Sequence, residues 1–244
     1  MGHSVGAEFH HYGGVPSTIA GTLLQLLSHK LEKGRFPQII FVGGTTPLGA
    51  TGYVNAAFEL KAQIQQGLLP EPDRIYVALG TMGTAMGLML GVRAAGLKSK
   101  VIPVRVVDKI FGSAPKAARL FRKTNRLLHS TDASFPQFDL SDSDVGINDD
   151  FFGQEYALFT QEGVDAVRRV WETEKIKLEA TYTGKAFAAL IAHAQSGALA
   201  GQTVLFWNTY NSRDFSDAIR DIDYHRLPPK FHRYFEQDVQ PLDK

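Results

Sequence analysis

The residues best suited to chemistry form a glycine- and hydroxyl-rich turn about a third of the way along the chain. The apolar run at residues 75–79 predicts a buried strand, and an apolar, glycine-containing stretch predicts a helix over 85–93. A turn between a strand and a helix directs unpaired backbone N–H groups and the positive end of the helix dipole at one point. We therefore predict a phosphate site at the residues between them, which are Gly80, Thr81, Met82, Gly83 and Thr84.

The spacing in this turn matches neither of the two most familiar phosphate loops. It lacks the Gly-Lys-Ser/Thr ending of a P-loop, and GTMGTAMG does not fit the GxGxxG pattern of dinucleotide-binding proteins. A phosphate outside the nucleotide-binding families is therefore the first interpretation. One alternative is a turn whose glycines serve only close packing of a helix on a strand. A further alternative is that the chain is an enzyme of a different class, which binds a phosphorylated sugar or nucleotide at this turn.

The composition is that of an ordinary globular protein. The chain has 244 residues, of which 44% are hydrophobic, enough to bury a substantial core as one large or two small domains. Lysine and arginine together number 26 against 25 acidic residues, a balance that gives no support for a nucleic-acid partner or an anionic membrane surface. Cysteine is absent, which excludes disulfides and thiolate chemistry and is compatible with a cytoplasmic protein.

Neither a membrane span nor a metal site is predicted. No apolar run approaches the roughly 20 residues that a membrane-spanning helix needs. The His10-His11 pair lacks the carboxylate or HExxH spacing of a metal site, so we expect these side chains to lie on the surface or in the core.

Strand and helix patterns alternate from residue 38 to residue 207, which is typical of a parallel sheet covered by helices on both faces. Polar loops at the carboxyl ends of such strands converge on one edge of the sheet. Three loops follow predicted strands, at 43–49, 80–84 and 208–212, and we expect them to form one site. The predicted strands are 7–12, 38–42, 75–79, 100–107 and 203–207, and the predicted helices are 16–34, 51–66, 85–93, 112–130, 162–173 and 186–194.

Four segments in this order resemble the pyridoxal-phosphate enzymes of the D-cysteine desulfhydrase and 1-aminocyclopropane-1-carboxylate deaminase family. They are GGTTPLGATGYVNAAFEL at 43–60, LGTMGTAMGLMLG at 79–91, GQEYALFTQEGVDAVRRVWETE at 153–174 and TYTGKAFAALI at 181–191. The resemblance implies an α/β fold with a parallel sheet in three layers, the tryptophan-synthase-β-like fold of PLP fold type II. It also implies pyridoxal 5′-phosphate (PLP) as the cofactor.

Carried over residue by residue, the resemblance implies a role for each part of the site. The turn at 80–84 would cradle the cofactor phosphate. Thr183 would hydrogen-bond the pyridine nitrogen, where some relatives carry glutamate. Tyr156 and Tyr182 match two tyrosines that flank the substrate and could orient it or exchange a proton. Because an unperturbed tyrosine titrates near pH 10, either would need a lowered pKa to act as a base, and a packed aromatic with a satisfied hydroxyl is the alternative for each.

The same resemblance limits what this chain can do. In the family, the Schiff-base lysine lies in a Gly-Asn-Lys segment upstream of the region that corresponds to 43–49, and a Ser-Asn loop for the substrate carboxylate follows it. Neither segment occurs in this sequence. Lys185, in TYTGK, is not the matching lysine, and residue type alone does not give it that role. We therefore expect the chain to lack the family's N-terminal third and to expose an apolar sheet edge.

These observations set the expected organisation and function. Residues 1–35 would be a remnant of a smaller domain, 36–220 the large cofactor-binding domain, and 221–244 a peripheral tail. The implied function is a lyase or deaminase that acts on a small amino acid and releases ammonia and an oxo acid. The alternative is a truncated, non-catalytic remnant or partner subunit that keeps the phosphate cradle. The resemblance also implies a homodimer, or completion by the missing N-terminal segment.

Overall fold

The computed structural model describes residues 2–238 and 240–242. The chain divides into two compact units, one spanning Phe41–Ser212 and the other comprising residues up to Ile40 together with those from Arg213 onward. The predicted division at residues 35 and 220 remains a prediction. The strands are β1 (Arg74–Leu79), β2 (Lys100–Arg105) and β3 (Val204–Phe206), and the α-helices are α1 (Val15–Lys33), α2 (Pro47–Gln65), α3 (Gly83–Ala94), α4 (Ala114–Thr131), α5 (Gln161–Glu174), α6 (Thr183–Gln195), α7 (Ser216–Ile219) and α8 (Arg233–Glu236).

The unit at Phe41–Ser212 is built on a parallel sheet in the order β2-β1-β3. Arg74, at the start of β1, pairs with Lys100 on one side and with Val204 on the other. Parallel neighbours need crossover connections, which the helices between the strands provide. The loops that follow the three strands therefore leave the sheet at the same edge.

Side chains of the central strand β1 alternate between two apolar clusters, which gives the unit three layers. Ile75, Val77 and Leu79 pack with buried residues of α2, α3 and α4. On the opposite face, Tyr76 and Ala78 pack with buried alanines of α6. The two-residue period of a strand explains why a segment apolar at every position suits burial between two helical layers. The predicted α/β fold with helices on both faces of a parallel sheet is confirmed.

Two predicted strands are wrong. Within the described residues, neither 7–12 nor 38–42 forms a strand, and Val42–Gly44 is instead a single 3₁₀ turn. Ile40 and Val42 have 82% and 80% of their surface exposed. Branched and aromatic residues favour a strand, but a strand also needs a neighbour for its backbone hydrogen bonds. The segment 38–42 has no such neighbour in the described chain. The edge strand β3 is half-buried, and the expected apolar sheet edge remains a prediction.

The unit formed by the chain ends contains the 19-residue helix α1. Gly34 caps the end of this helix, because its left-handed backbone lets its N–H bond back to the carbonyl of Lys30. Elsewhere in the unit, the ring of Phe9 packs edge-on against that of Phe231 at a centroid distance of 6.0 Å. In the described part of the chain, no helix combines the length and the apolar character needed to cross a membrane.

Candidate functional site

The turn between β1 and α3 has a strained backbone. Met82 precedes the first helical residue and adopts a left-handed conformation with φ of 75°, without a side-chain cap. The first helical hydrogen bond runs from the N–H of Met86 to the carbonyl of Met82. Since the N–H groups before it have no carbonyl of the same helix to bond, they point out of the helix end. A left-handed conformation costs a non-glycine residue about 1–2 kcal/mol, a strain typical of functional sites.

The loop before α2 brings a second helix start to the same place. Thr46 caps α2, because its Oγ1 accepts a hydrogen bond of 2.9 Å from the N–H of Gly49. Helices α2 and α3 lie very close: a Cβ added at Gly91 would sit 2.6 Å from the Cβ of Ala57, and one at Gly87 would sit 2.5 Å from the carbonyl oxygen of Ala50. Both pairs of contacts follow the same order along the two helices, so α2 and α3 run in the same direction. Their N-termini, which are the positive ends of their dipoles, therefore lie side by side.

A cavity of about 210 Å³ opens between these two helix starts. All three predicted loops contribute to it, as expected for loops at one edge of a parallel sheet. The Oγ1 atoms of Thr45 and Thr81, from two of the loops, lie 2.5 Å apart, with Thr45 donating. The lining residues are Gly43, Gly44, Thr45, Gly49, Tyr53, Ala78, Gly80, Thr81, Met82, Gly83, Thr84, Tyr182 and Thr209.

The chemical character of this lining suits an anion. It offers hydroxyl groups and helix-start N–H groups, and among its described residues there is no carboxylate and no lysine. Such donors bind phosphate without a formal positive charge when two helix dipoles aim at it. The five predicted cradle residues at 80–84 all line the cavity.

The two predicted tyrosines lie together, and one of them lines the cavity. The hydroxyl oxygens of Tyr156 and Tyr182 are 2.8 Å apart, and the rings meet edge-on at a centroid distance of 6.2 Å. Tyr182 packs against the cradle, since a Cβ at Gly80 would lie 3.0 Å from its Cε1. Burial, the hydrogen bond with Tyr156 and the negative charge of Glu179 raise the pKa of Tyr182 well above the usual value. Tyr182 therefore stays protonated at neutral pH and is not suited to act as a base.

Thr183 lies just behind the cavity wall, at the start of α6. It is buried, and its hydroxyl accepts from the N–H of Glu179 at 2.9 Å and faces the Glu179 carbonyl at 3.2 Å. The Glu179 carboxylate accepts hydrogen bonds from the N–H groups of Thr181, Tyr182 and Thr183 at 2.7–2.8 Å. This carboxylate thus fixes the first turn of α6 and the backbone of Tyr182. The role of Thr183 toward a pyridine nitrogen remains a prediction.

Lys185 is fully buried but does not line the cavity. Its Nζ donates a hydrogen bond of 2.6 Å to the carbonyl of Phe152 and lies 5.4 Å from the centre of the Phe152 ring. Burial lowers the pKa of Lys185, and the charge of Glu179 partly opposes that effect. This hydrogen bond links α6, which carries Lys185, to the segment that leads to Tyr156. That Lys185 is not the lysine that would hold a cofactor covalently remains a prediction.

Sequence reasoning named the loops but missed several side chains that shape the site. Thr45, Tyr53 and Thr209 line the cavity, and Glu179 organises the start of α6. The glycine-hydroxyl composition of 43–49 signalled Thr45 as part of a loop, but not its contact with Thr81. Glu179 lies four residues before Thr183, a spacing that is compatible with a cap but not specific for one.

A profile of the family described as "Pyridoxal-phosphate dependent enzyme" matches residues 3–209 of this chain. The match contains every residue predicted for the site. The cofactor of that family is the phosphate compound that the sequence led us to expect.

Three solved structures resemble the chain. A homologue of ACC deaminase is 27% identical with a TM-score of 0.68, and the match covers 85% of this chain and 60% of that one. An O-ureido-L-serine synthase is 17% identical with a TM-score of 0.49, covering 86% of this chain and 60% of that one. A fungal L-serine ammonia-lyase from Rhizomucor miehei is 19% identical with a TM-score of 0.38, covering 70% and 55%. This chain spans 60% of the length of the ACC deaminase homologue.

Proposed function

This chain belongs to the family of pyridoxal-phosphate dependent enzymes, and from that premise we propose that it serves as a lyase or deaminase of a small amino acid, releasing ammonia and an oxo acid. The observation that carries the proposal is the cavity that the cradle at 80–84 and Tyr182 line together. The similarity to the ACC deaminase homologue supports the reaction class. D-Cysteine and 1-aminocyclopropane-1-carboxylate are the proposed substrates.

The cradle would hold the cofactor through its phosphate. Thr81 and Thr84 offer hydroxyl groups, and the first turn of α3 offers backbone N–H groups. Gly83 leaves room for the loop opposite, because a Cβ there would already touch Thr45 Oγ1 at 3.4 Å. A phosphate dianion meets no carboxylate among the described lining residues. The residues present therefore fit this part of the cofactor.

The tyrosine pair would serve the reacting end of the substrate. The bound cofactor supplies an electron sink for negative charge that develops at the substrate α-carbon. Because its pKa is raised, Tyr182 keeps its proton and is proposed to donate a hydrogen bond at the cavity and so orient the substrate. Tyr156 holds that hydroxyl in place through their 2.8 Å contact. Thr183 is proposed to meet the pyridine nitrogen, with its hydroxyl oriented by Glu179.

The second candidate is a cofactor-holding chain that lacks the chemistry. The family's reactions need a lysine that binds the cofactor covalently, and no lysine is found among the described cavity residues. Lys185 is engaged with the Phe152 carbonyl. If this second candidate holds, another chain or a further segment would complete the site. We propose a homodimer or such a completion as the active assembly.

The test uses the purified chain, PLP and the two proposed substrates. We expect PLP to bind at least about tenfold more tightly than pyridoxal, because charge-assisted hydrogen bonds to phosphate are strong. The double variant Thr81→Ala with Gly83→Val should lose that preference, and Thr51→Ala, whose hydroxyl bonds the Leu48 carbonyl, is the control. Unchanged PLP affinity in the double variant would contradict the cradle.

Two further measurements separate the two candidates. Ammonia release, together with an absorbance band that borohydride removes, supports the enzyme. Tight PLP binding without either favours the cofactor-holding chain.

A further inference from the structure

We propose that Thr45 is a positioning residue for the phosphate cradle, acting through Thr81. The hydroxyl of Thr45 donates to Oγ1 of Thr81 at 2.5 Å. Both residues line the cavity, yet they belong to different loops that precede different helices, α2 and α3. This inference rests on the proposed function, in which the cavity holds the phosphate of PLP.

The direction of this hydrogen bond decides where the Thr81 proton can go. A threonine hydroxyl has one proton to donate and two lone pairs that can accept. Because Thr81 accepts from Thr45, its own proton stays available for a phosphate oxygen in the cavity. Hydrogen bonds in such a chain polarise one another, so the first donor strengthens the second. Thr45 thus prepares Thr81 as a donor before any ligand arrives.

The backbone around Thr45 is shaped to allow this contact. Gly43 adopts a left-handed conformation with φ of 66°, and a Cβ added there would overlap Oγ1 of Thr81. The loop can therefore approach Thr81 only with glycine at this position. On the other side, Gly83 places its Cα hydrogens toward Thr45, since a Cβ there would lie 3.4 Å from Thr45 Oγ1. Thr45 therefore lies beside Gly83 and faces Thr81, and Thr81 lies against Gly43.

The ligand recognised by this arrangement is a phosphate monoester. Pyridoxal lacks the phosphate but keeps the ring, so it separates the cradle from the rest of the cavity. Inorganic phosphate tests the cradle alone. Thr45→Val keeps the shape of the side chain but removes the hydroxyl, and Thr45→Ser keeps the hydroxyl. Thr51→Val is the matched control on α2, because the Thr51 hydroxyl bonds the Leu48 carbonyl and does not line the cavity.

The experiment measures dissociation constants of PLP, pyridoxal and inorganic phosphate for these variants. We expect Thr45→Val to weaken PLP and phosphate by about 5- to 10-fold, the scale of one hydrogen bond between neutral groups. Pyridoxal affinity and the melting temperature should change little, and Thr45→Ser should restore PLP binding. Unchanged PLP affinity in Thr45→Val, with binding by the unaltered chain, would overturn this inference alone.

A double-mutant cycle tests whether Thr45 acts through Thr81. If it does, Thr45→Val should weaken PLP in the unaltered chain but have almost no further effect in Thr81→Val. Fully additive losses would show instead that Thr45 contacts the phosphate by itself, and would overturn the positioning role. If the unaltered chain binds neither PLP nor inorganic phosphate, the proposed function fails, and this inference fails with it.

Discussion

The hydroxyl oxygen of Tyr182 lies 2.8 Å from that of Tyr156, and only Tyr182 lines the cavity. The pair joins the start of α6 to the loop before α5, two parts of the chain 26 residues apart. Burial and the neighbouring Tyr156 both raise the pKa of Tyr182. The contact therefore keeps a protonated phenol at the cavity wall.

Removal of Tyr156 should make Tyr182 more acidic. In a spectrophotometric titration, Tyr182 should ionise above the ordinary tyrosine pKa of about 10. Tyr156→Phe deletes the hydrogen bond that raises the pKa of Tyr182, so the latest-ionising tyrosine should titrate at lower pH than in the unaltered protein. Tyr182→Phe should diminish that late phase, and the part that stays belongs to the buried Tyr76, whose pKa is also raised by burial. Tyr234→Phe, an exposed tyrosine in the other unit, is the control; a late phase of unchanged amplitude in Tyr182→Phe would contradict the assignment.

Lys185 should make the folded protein more stable as the pH rises toward the ordinary lysine pKa. Burial lowers the pKa of Lys185 in the folded protein, whereas in the unfolded chain this pKa stays at about 10.5. Between these two pKa values the unfolded chain binds more protons than the folded protein. Protonation therefore favours unfolding in this window, and stability attributable to Lys185 grows with pH. Lys185→Met should flatten that slope in denaturant unfolding measured at several pH values. The exposed Lys123→Met on α4 should keep it; equal slopes in all three proteins would contradict the prediction.

Loss of the Glu179 carboxylate should loosen the start of α6. Three backbone N–H groups bond this carboxylate, so Glu179→Ala should lower the free energy of unfolding by about 1–2 kcal/mol. Glu174→Ala, at the exposed end of α5, should have much less effect. Urea unfolding measures both. A loss in Glu179→Ala no larger than in Glu174→Ala would mean that the cap contributes nothing.

Two glycines near the interface of α2 and α3 should respond in opposite directions to alanine. A Cβ at Gly91 would lie 2.6 Å from both the Ala57 Cβ and the Val54 carbonyl oxygen, so Gly91→Ala should cost about 1–3 kcal/mol through overpacking. Gly52 lies in α2 with open space around it, and Gly52→Ala should stabilise the protein by about 0.5–1 kcal/mol. Melting temperatures of the two variants on either side of the unaltered protein would confirm the packing; shifts in the same direction would contradict it.

The fold could be predicted because its signals are local. Residues 75–79 are apolar at every position, and β1 is buried on both faces, as such a pattern requires. The segment 38–42 has the same kind of composition, but among the described residues no strand lies beside it, which no local pattern reveals. Strand propensity therefore predicts the structure correctly at 75–79, where β1 has neighbouring strands, and wrongly at 38–42, where the described chain provides none.

The site could be predicted only in part. The glycine-hydroxyl loops mark the phosphate cradle because a turn before a helix has a physical signature. The Tyr156 and Tyr182 roles came from resemblance, and their contact depends on the course of a loop without periodic pattern. The Thr45 and Thr81 hydroxyls meet across 36 residues, and only the close packing of α2 on α3 brings them together.

The walls of the cavity come from residues as distant in the chain as Gly43 and Thr209. Contacts of such long sequence separation close large loops, and the packing that they bring must offset the entropy that loop closure costs. Thr209 follows strand β3, so the pairing of β3 with β1 brings it to the cavity. A ligand of this cavity therefore recognises only the finished sheet, and by mass action it would draw partly folded chains toward completion.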